Sequence, residues 1–250
     1  MQNKENGKLA CVGTGMKMGA HISPIARQYI IDADILFMAV SNGVIGLWLQ
    51  DLNPNCVDLQ RFYGAGKDRK KTYEEMIEAI LFEVRQGKNV CAAFYGHPGV
   101  FARAPHEAIK LAREEGYEAH MEPGISAEDC LYSDLGIDPG KFGCQHFEAT
   151  QFLKYKRIVD PSAYLILWQI GLTGESNVGL EYTDKSKLGV LTNKLSKLYS
   201  LDHEVIIYES GHLVMEGFKQ EVVKLRRLPE ASTNLYSTLI IPPYKSLEPE

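Results

Sequence analysis

The sequence predicts an α/β protein in two domains, with a mostly parallel N-terminal sheet and a mixed C-terminal sheet. Three observations carry that prediction. Short apolar runs alternate with helical segments as far as Met121, the pattern of parallel strands covered on both faces. Beyond Asp138-Pro139-Gly140 the strand candidates follow one another with fewer helices between, as in a partly antiparallel sheet. The run Asn89 to Ala93 opens into Phe94-Tyr95-Gly96-His97-Pro98-Gly99-Val100-Phe101, a tight turn at the carboxyl end of a strand, where open α/β sheets hold their ligands.

Leu9 to Val12 is the first strand and ends in Gly13-Thr14-Gly15. Ser23-Pro24 reads as an N-cap with proline at the first helical position, starting a helix that ends near Ala33. Ile35 to Val40 is a second buried strand, closed by Ser41-Asn42-Gly43. Val44 to Leu52 is helical, and Val57 to Leu59 is a brief third strand. The next helix runs from about Asp68 to Gln86, with Tyr73, Met76, Ile77, Ile80, Leu81 and Val84 on one face and Gly87 as its stop. A capping box, Thr72 with Glu75, competes with that start and leaves Arg69 in the loop. Asn89 to Tyr95 is the fourth strand, Pro105 to Glu115 a helix ending at Gly116, and Glu118 to Met121 the fifth strand.

A boundary at Glu122-Pro123-Gly124 divides residues 1–122 from 123–250. Ser126 caps a helix through Leu135, with Asp129 placed to return the cap. The later strands are Gln145 to Glu148, Ala163 to Trp168, Glu204 to Tyr208, Glu221 to Leu225 and Ser237 to Ile241. One clear helix, Lys187 to Tyr199, carries Leu188, Leu191, Leu195 and Leu198 on one face. A ligand cleft is expected between the domains, and the tail from Tyr244 to Glu250 is expected to fray.

Composition narrows the partners. A net charge of −5 gives no general attraction to nucleic acid or to an anionic membrane. No apolar run is long enough to span a bilayer, and Met1 to Lys8 carries no signal-peptide core. Cys11, Cys56, Cys91, Cys130 and Cys144 are odd in number and scattered, which points to reduced thiols in the cytoplasm and to no metal site.

Several residues invite a chemical reading, each beside a structural one. Gly13-Thr14-Gly15 has the start of a phosphate cradle. A dinucleotide fingerprint needs a glycine three residues after Gly15, but Met18 stands there and Gly19 comes one late. The turn reads equally as a tight strand end, and a nucleotide-type cofactor without pyrophosphate suits it better than NAD. The run Lys67-Asp68-Arg69-Lys70-Lys71 is a solvated helix start in its ordinary meaning. Arg69, however, lies four residues before Tyr73, and a guanidinium beside a phenol on one helical face favours the phenolate. Tyr63 precedes a glycine loop and reads as packing or chemistry. His97 is either a base or a backbone hydrogen-bonding side chain of its turn. Gln169, at a strand end in Trp168-Gln169-Ile170-Gly171, reads a purine edge or is a satisfied amide.

Together Val12 to Gly15, Arg69-x-x-Thr72-Tyr73, Phe94 to Phe101, Pro123 to Leu131, Trp168 to Gly171 and Ser237-Thr238 before Pro242-Pro243 resemble the tetrapyrrole-methylase superfamily. More closely they resemble its borosin branch, the peptide backbone α-N-methyltransferases, over about Lys8 to Tyr244. The Tyr95-to-Phe101 and Pro123-to-Leu131 segments are the specific part; the glycine turn is not. The resemblance implies a two-domain tetrapyrrole-methylase-like fold and S-adenosyl-L-methionine as cofactor, with no metal. It implies cofactor contacts from Gly13, Tyr95, His97, Val100, Ser126, Ala127, Gln169, Tyr208, Ser237 and Thr238. It implies a substrate-side cluster of Tyr63, Arg69, Tyr73 and Tyr95, and a homodimer, with a heterotetramer holding two peptide chains as the extended form. Gln60 stands where some relatives carry another tyrosine. Fused relatives carry their substrate as a C-terminal extension, and the sequence ending at Glu250 leads to the expectation of a separate precursor peptide acting in trans.

An amide nitrogen is a poor nucleophile because its lone pair is delocalised into the carbonyl. The resemblance therefore gives Tyr73 the part of base beside Arg69, Tyr63 the imidate oxygen, and Tyr95 the orientation of the amide. Three other readings stand beside it. A tetrapyrrole C-methyltransferase shares the fold but needs no tyrosinate for an amide. A peptide-binding module of the same fold needs no turnover. A dinucleotide-dependent oxidoreductase is disfavoured by the displaced Gly19.

Overall fold

The structure, a computed structural model, describes residues 7–40, 42–64, 66–173 and 185–249. Ser41 of the expected turn, residues 1–6 of the N-terminus and the last residue of the tail lie outside the described residues.

Five strands form the first sheet: β1 (Lys8–Gly13), β2 (Ile35–Ala39), β3 (Cys56–Asp58), β4 (Asn89–Phe94) and β5 (Glu118–Glu122). Their order is β3-β2-β4-β1-β5, and every pairing is parallel, as expected from the alternation. The connecting helices are α1 (Pro24–Asp32), α2 (Gly43–Leu52), α3 (Arg69–Arg85) and α4 (Arg103–Glu114). Successive residues of a strand face opposite ways, so β1 feeds two cores. Leu9 and Cys11 join Phe37, Ile80 and Ala108 in one, while Ala10 and Val12 join Ile30, Leu36 and Leu49 in the other. Both faces are thereby covered, which explains why these strands read as continuous apolar runs.

Local chemistry sets the helix starts. The Ser23 hydroxyl accepts from the Ala26 N–H at 3.0 Å with Pro24 behind it, and the Asn42 side chain accepts from the Val44 N–H at 2.8 Å. α3 begins at Arg69 because the Asp68 carboxylate accepts the Lys70 N–H at 2.6 Å. The competing start at Thr72 is not used: Thr72 is fully buried and its hydroxyl bonds back to the Asp68 carbonyl at 3.2 Å.

α5 (Ala127–Leu135) has the expected reciprocal cap. The Ser126 N–H and hydroxyl each donate to Asp129 Oδ2 at 2.7 Å, and the Asp129 N–H donates to Ser126 Oγ at 3.2 Å. The compact units of the chain divide within this helix, after Cys130, with the short segment Gly211–Glu216 belonging to the first unit. The Pro123-Gly124 turn precedes that division.

The second unit holds β6 (Cys144–Glu148), β7 (Tyr164–Trp168), β8 (Glu204–Glu209), β9 (Lys219–Lys224) and β10 (Thr238–Ile241) in the order β6-β7-β10-β8-β9. β6 and β7 are parallel and the other pairs antiparallel, the mixed sheet that was expected. Leu165, Leu167, Val205, Ile207, Leu239 and Ile241 pack one face against Leu188, Leu191 and Leu195.

Several expectations are corrected. The helix read as Lys187 to Tyr199 is α8 (Lys185–Leu195), so Leu198 lies beyond its end and is exposed. Leu225 belongs to a 3₁₀ turn, Leu225–Glu230, and not to β9. The one-turn elements α6 (Pro139–Phe142) and α7 (Ala149–Lys154), and 3₁₀ turns at Leu59–Phe62 and Ile170–Leu172, carry too few residues to show a period. The tail is anchored at its start: the Tyr244 and Lys245 N–H groups both donate to the Pro161 carbonyl, at 2.8 and 3.1 Å. None of the five cysteines is in a disulfide, and Cys11, Cys91 and Cys130 are buried.

Candidate active site

The carboxyl ends of β4, β1 and β5 lie side by side, because Gly13 registers with Phe94 and Val12 with Glu122. The loops leaving them converge. A Cβ on Gly13 would lie 2.5 Å from the Gly96 carbonyl oxygen, a distance no side chain tolerates. Gly15 and Gly96 bond each other's backbones at 3.0 and 3.1 Å, both with positive φ. Glycine at 13 is thus required by chain packing, and the space at that position is filled by backbone. This is the strand-end reading of Gly13-Thr14-Gly15.

Beside this edge stand the four residues of the predicted substrate side. With α3 starting at Arg69, Arg69 and Tyr73 share one helical face. Tyr63 follows the 3₁₀ turn Leu59–Phe62 and, like Tyr73, is half-buried against the core under α3. Tyr95 closes β4 and is exposed, held by its N–H to the Ala39 carbonyl at 3.2 Å. These four are brought together, as the acidity of one of them records. The Tyr63 hydroxyl is pushed well above the ordinary phenol value, chiefly by burial, then by the charge of Tyr73 and a side-chain hydrogen bond with it. Arg69 pulls in the opposite direction, and Tyr95 adds a smaller upward push. Tyr63 is therefore a donor, not a base.

The loop after Tyr95 is tightly built. His97 Nδ1 accepts the Gly99 N–H at 2.9 Å, the backbone-bonding reading of this histidine. With Nδ1 accepting, the ring's proton resides on Nε2 when it is neutral. His106, on α4, makes a 2.9 Å contact from Nε2 to the Gly99 carbonyl. Val100 is half-buried, and Phe101 adopts φ 51°. A bulky residue in the left-handed region is strained, and such strain gathers at ligand sites. Ser126 is buried within its cap and Ala127 is half-buried.

In the second unit Gln169 is the other non-glycine residue with positive φ among the described residues, at 58°. It turns the chain out of β7 into Ile170–Leu172, where the Ile170 N–H bonds the Ser237 carbonyl at 3.1 Å. Trp168 before it donates Nε1–H to His146 Nδ1 at 3.2 Å, and His146 Nε2 meets the Tyr132 hydroxyl at 3.0 Å. Tyr208 is buried and its hydroxyl donates to Asp134 at 2.7 Å. Thr238 registers with Tyr208 on β8. Ser237 faces the other way: it is fully buried, and its hydroxyl donates to Glu209 at 2.7 Å and accepts the Asn234 N–H at 2.8 Å. The structure therefore commits the Ser237 hydroxyl internally instead of presenting it to a ligand.

The family described as tetrapyrrole (corrin/porphyrin) methylases matches residues 8–228. The chain belongs to the tetrapyrrole methylases. Among the relatives of this chain is a methyltransferase/ribosomally synthesized type I borosin cyclic peptide precursor of Coprinopsis marcescibilis, 40% identical over 248 residues, covering 96% of this chain and 63% of that protein. The methyltransferase/precursor of the cyclic peptide omphalotin A from Omphalotus olearius is 39% identical over 242 residues, covering 95% of this chain and 58% of that protein. The chain thus spans about three-fifths of the length of these relatives. In fold it is similar to a uroporphyrin-III C-methyltransferase of Thermus thermophilus, with a TM-score of 0.66, 18% identity and 95% of both chains covered. A cobalt precorrin-4 methyltransferase gives a TM-score of 0.68 at 15% identity over 97% of both.

Two features of this site carry no signal in the sequence. Phe101 carries no signal of its backbone state, because phenylalanine is not a residue that chooses positive φ. Lys67 lies inside the basic run, whose ordinary meaning is a solvated helix start. In the structure it is half-buried and bonded to two parts of the chain, the Phe62 carbonyl and Glu75.

Proposed function

We propose that this methylase transfers methyl groups from S-adenosylmethionine to backbone amide nitrogens of a ribosomally made peptide supplied as a separate chain. The observation that carries the reading is the grouping of Tyr63, Arg69, Tyr73 and Tyr95 at one sheet edge, with Tyr63 held protonated. Methylation of an electron-rich ring carbon asks for no such cluster. The relatives whose names join a methyltransferase to a cyclic peptide precursor support the same substrate class.

The candidate cofactor residues suit a ligand without phosphate. In the first unit Tyr95 and His97 offer a hydroxyl and an imidazole, and in the second Gln169 and Thr238 offer an amide and a hydroxyl, with no lysine or arginine among them. The N-terminus of α5, an anion site if left open, is closed by the carboxylate of its own Asp129. No group of metal-ligating residues occurs among the described residues. Bound S-adenosylmethionine supplies an electrophilic methyl group.

The chain's own residues supply the rest. Tyr95, exposed at the strand end, orients the peptide amide. Tyr73, on the helical face it shares with Arg69, acts as the base and takes the amide proton onto its phenol oxygen. Tyr63 donates its O–H to the amide oxygen, on which negative charge develops as the N–H proton leaves. General-base help of this kind is worth about 10²- to 10⁴-fold, and positioning supplies much of the remainder. An extended peptide whose backbone nitrogen is to be reached must be enclosed, and a homodimer is the proposed means.

The test is mass gain on a separate peptide, one methyl per transfer, by wild type, Tyr73→Phe and Arg69→Ala. Loss of transfer in both variants is expected; unchanged rates in both remove the assignment.

A further inference from the structure

Lys67 ties together the two pieces of chain that carry the paired phenols. Its Nζ donates to the Phe62 carbonyl oxygen at 2.8 Å and also pairs with the Glu75 carboxylate. Phe62 immediately precedes Tyr63, and Glu75 lies two residues beyond Tyr73 on α3. The backbone between them is already folded back on itself: the Tyr63 N–H bonds the Gln60 carbonyl at 3.0 Å, and the Lys67 N–H bonds the Gly64 carbonyl at 3.1 Å. One ammonium, only 24% exposed, thus closes the segment leaving Phe62 onto the first turns of α3.

The contacts separate two kinds of influence on Tyr63. Its acidity is set by burial, Tyr73, Arg69 and Tyr95, and Lys67 is not among these. The lysine's own contacts are with the Phe62 carbonyl and Glu75, so it acts on Tyr63 through the backbone. A half-buried lysine–carboxylate pair of this kind adds only modest stability of its own. Its effect is geometric: an ammonium bonded at once to a carbonyl of one segment and a carboxylate of another restricts the distance between them.

We infer that Lys67 is a positioning residue for methyl transfer, setting the Tyr63 hydroxyl against Tyr73 through its bonds to the Phe62 carbonyl and to Glu75. The catalytic consequence rests on the proposed amide methylation; the clamp itself does not. A displacement of about 1 Å at a reacting group costs on the order of 10²-fold in rate, so the clamp matters to turnover far more than to folding.

The experiment compares wild type with Lys67→Met, Lys67→Arg, Glu75→Ala and the Met/Ala double variant. Three readouts are taken: single-turnover methylation of a synthetic peptide library, S-adenosylhomocysteine binding by calorimetry, and amide hydrogen exchange at Tyr63 and Lys67. Lys67→Met is expected to lose about 10- to 100-fold in the transfer step. Its affinity for S-adenosylhomocysteine should stay within about twofold, and exchange at the Tyr63 amide should be faster. Arginine, which keeps both donors, restores most of the rate. The double variant is no slower than the slower single one, because both break the same clamp. Transfer by Lys67→Met within about twofold of wild type overturns the inference, as does a loss that Lys67→Arg fails to restore while S-adenosylhomocysteine binding falls in parallel. If wild type methylates no peptide, the substrate reading fails. Exchange at Tyr63 then decides the clamp alone, and an unaltered rate in Lys67→Met overturns it.

Discussion

Gly13 and Gly124 stand backbone to backbone: a Cβ on Gly13 would lie 2.7 Å from the Gly124 Cα, and one on Gly124 would lie 2.8 Å from the Gly13 Cα. The contact joins the end of β1 to the turn after β5 and fixes the floor on which the Tyr95–Phe101 loop rests. Neither glycine has positive φ, so each is required for space alone.

Gly124→Ala should therefore destabilise the chain by about 2 kcal/mol or more, since the clash is with backbone that cannot rotate away. Gly43→Ala, at the start of α2 with open space around it, is the matched control and should change stability by no more than about 1 kcal/mol, toward stabilisation. Urea unfolding of both variants checks the pair. Equal effects at the two positions would show that the close approach is not what demands glycine.

The second prediction concerns pH. Tyr63 is held above the ordinary phenol range by burial and by Tyr73, so it stays protonated throughout neutral and mildly alkaline solution. Tyr63→Phe should lower methyl transfer by about tenfold, the loss of one hydrogen bond to developing charge, and leave the shape of the pH–rate profile unchanged. A profile whose alkaline limb moves in this variant would make Tyr63 the titrating group.

Much of this site was legible before the structure. The spacing of Arg69 and Tyr73, the Ser126–Asp129 cap and the strand end at Tyr95 are local patterns, and local patterns survive folding when their caps are satisfied. The parallel sheet was legible for the same reason, each apolar run being short and bounded by turn residues. What escaped is non-local. Lys67 finds Glu75 eight residues away and a carbonyl five residues back, which no period announces. Ser237 and Thr238 were read together, yet the pleat turns one toward Glu209 and leaves the other on the Tyr208 face. The tail expected to fray is held at Tyr244 and Lys245, where backbone bonds to the Pro161 carbonyl and ring contacts with Tyr199 and His203, not sequence position, decide the outcome.

Gln169 gives a third test, one that sets stability against function. A glutamine at φ 58° costs about 1 kcal/mol or more, and glycine at the same place costs nothing sterically. Gln169→Gly should leave the unliganded chain as stable as wild type or slightly more so. The same change should weaken S-adenosylhomocysteine binding, because the amide is lost. Thermal unfolding and calorimetry on one preparation read both. A variant that is less stable and binds normally would make Gln169 a packing residue only.

Tyr199 supplies the last prediction, away from the site. It is buried between His203 and Tyr244, with its ring nearly parallel to the imidazole, 5.8 Å between centroids. Its hydroxyl is one of the buried polar atoms without a hydrogen-bond partner among the described residues. Burial, with Asp160 nearby, pushes its pKa up to about 12. In the unfolded chain the phenol ionises near its ordinary value of about 10, while the folded chain holds the proton longer. The unfolded state thus binds fewer protons over that window, and stability falls as pH rises through it. Tyr199→Phe removes both the unsatisfied hydroxyl and this penalty. At neutral pH the variant should match wild type or exceed it by about 1 kcal/mol, and above pH of about 10 its advantage should widen. Urea midpoints measured across that range decide the matter. An advantage that stays flat with pH would mean the phenol does not titrate differently on folding, and a destabilised variant would mean that the hydroxyl has a partner after all.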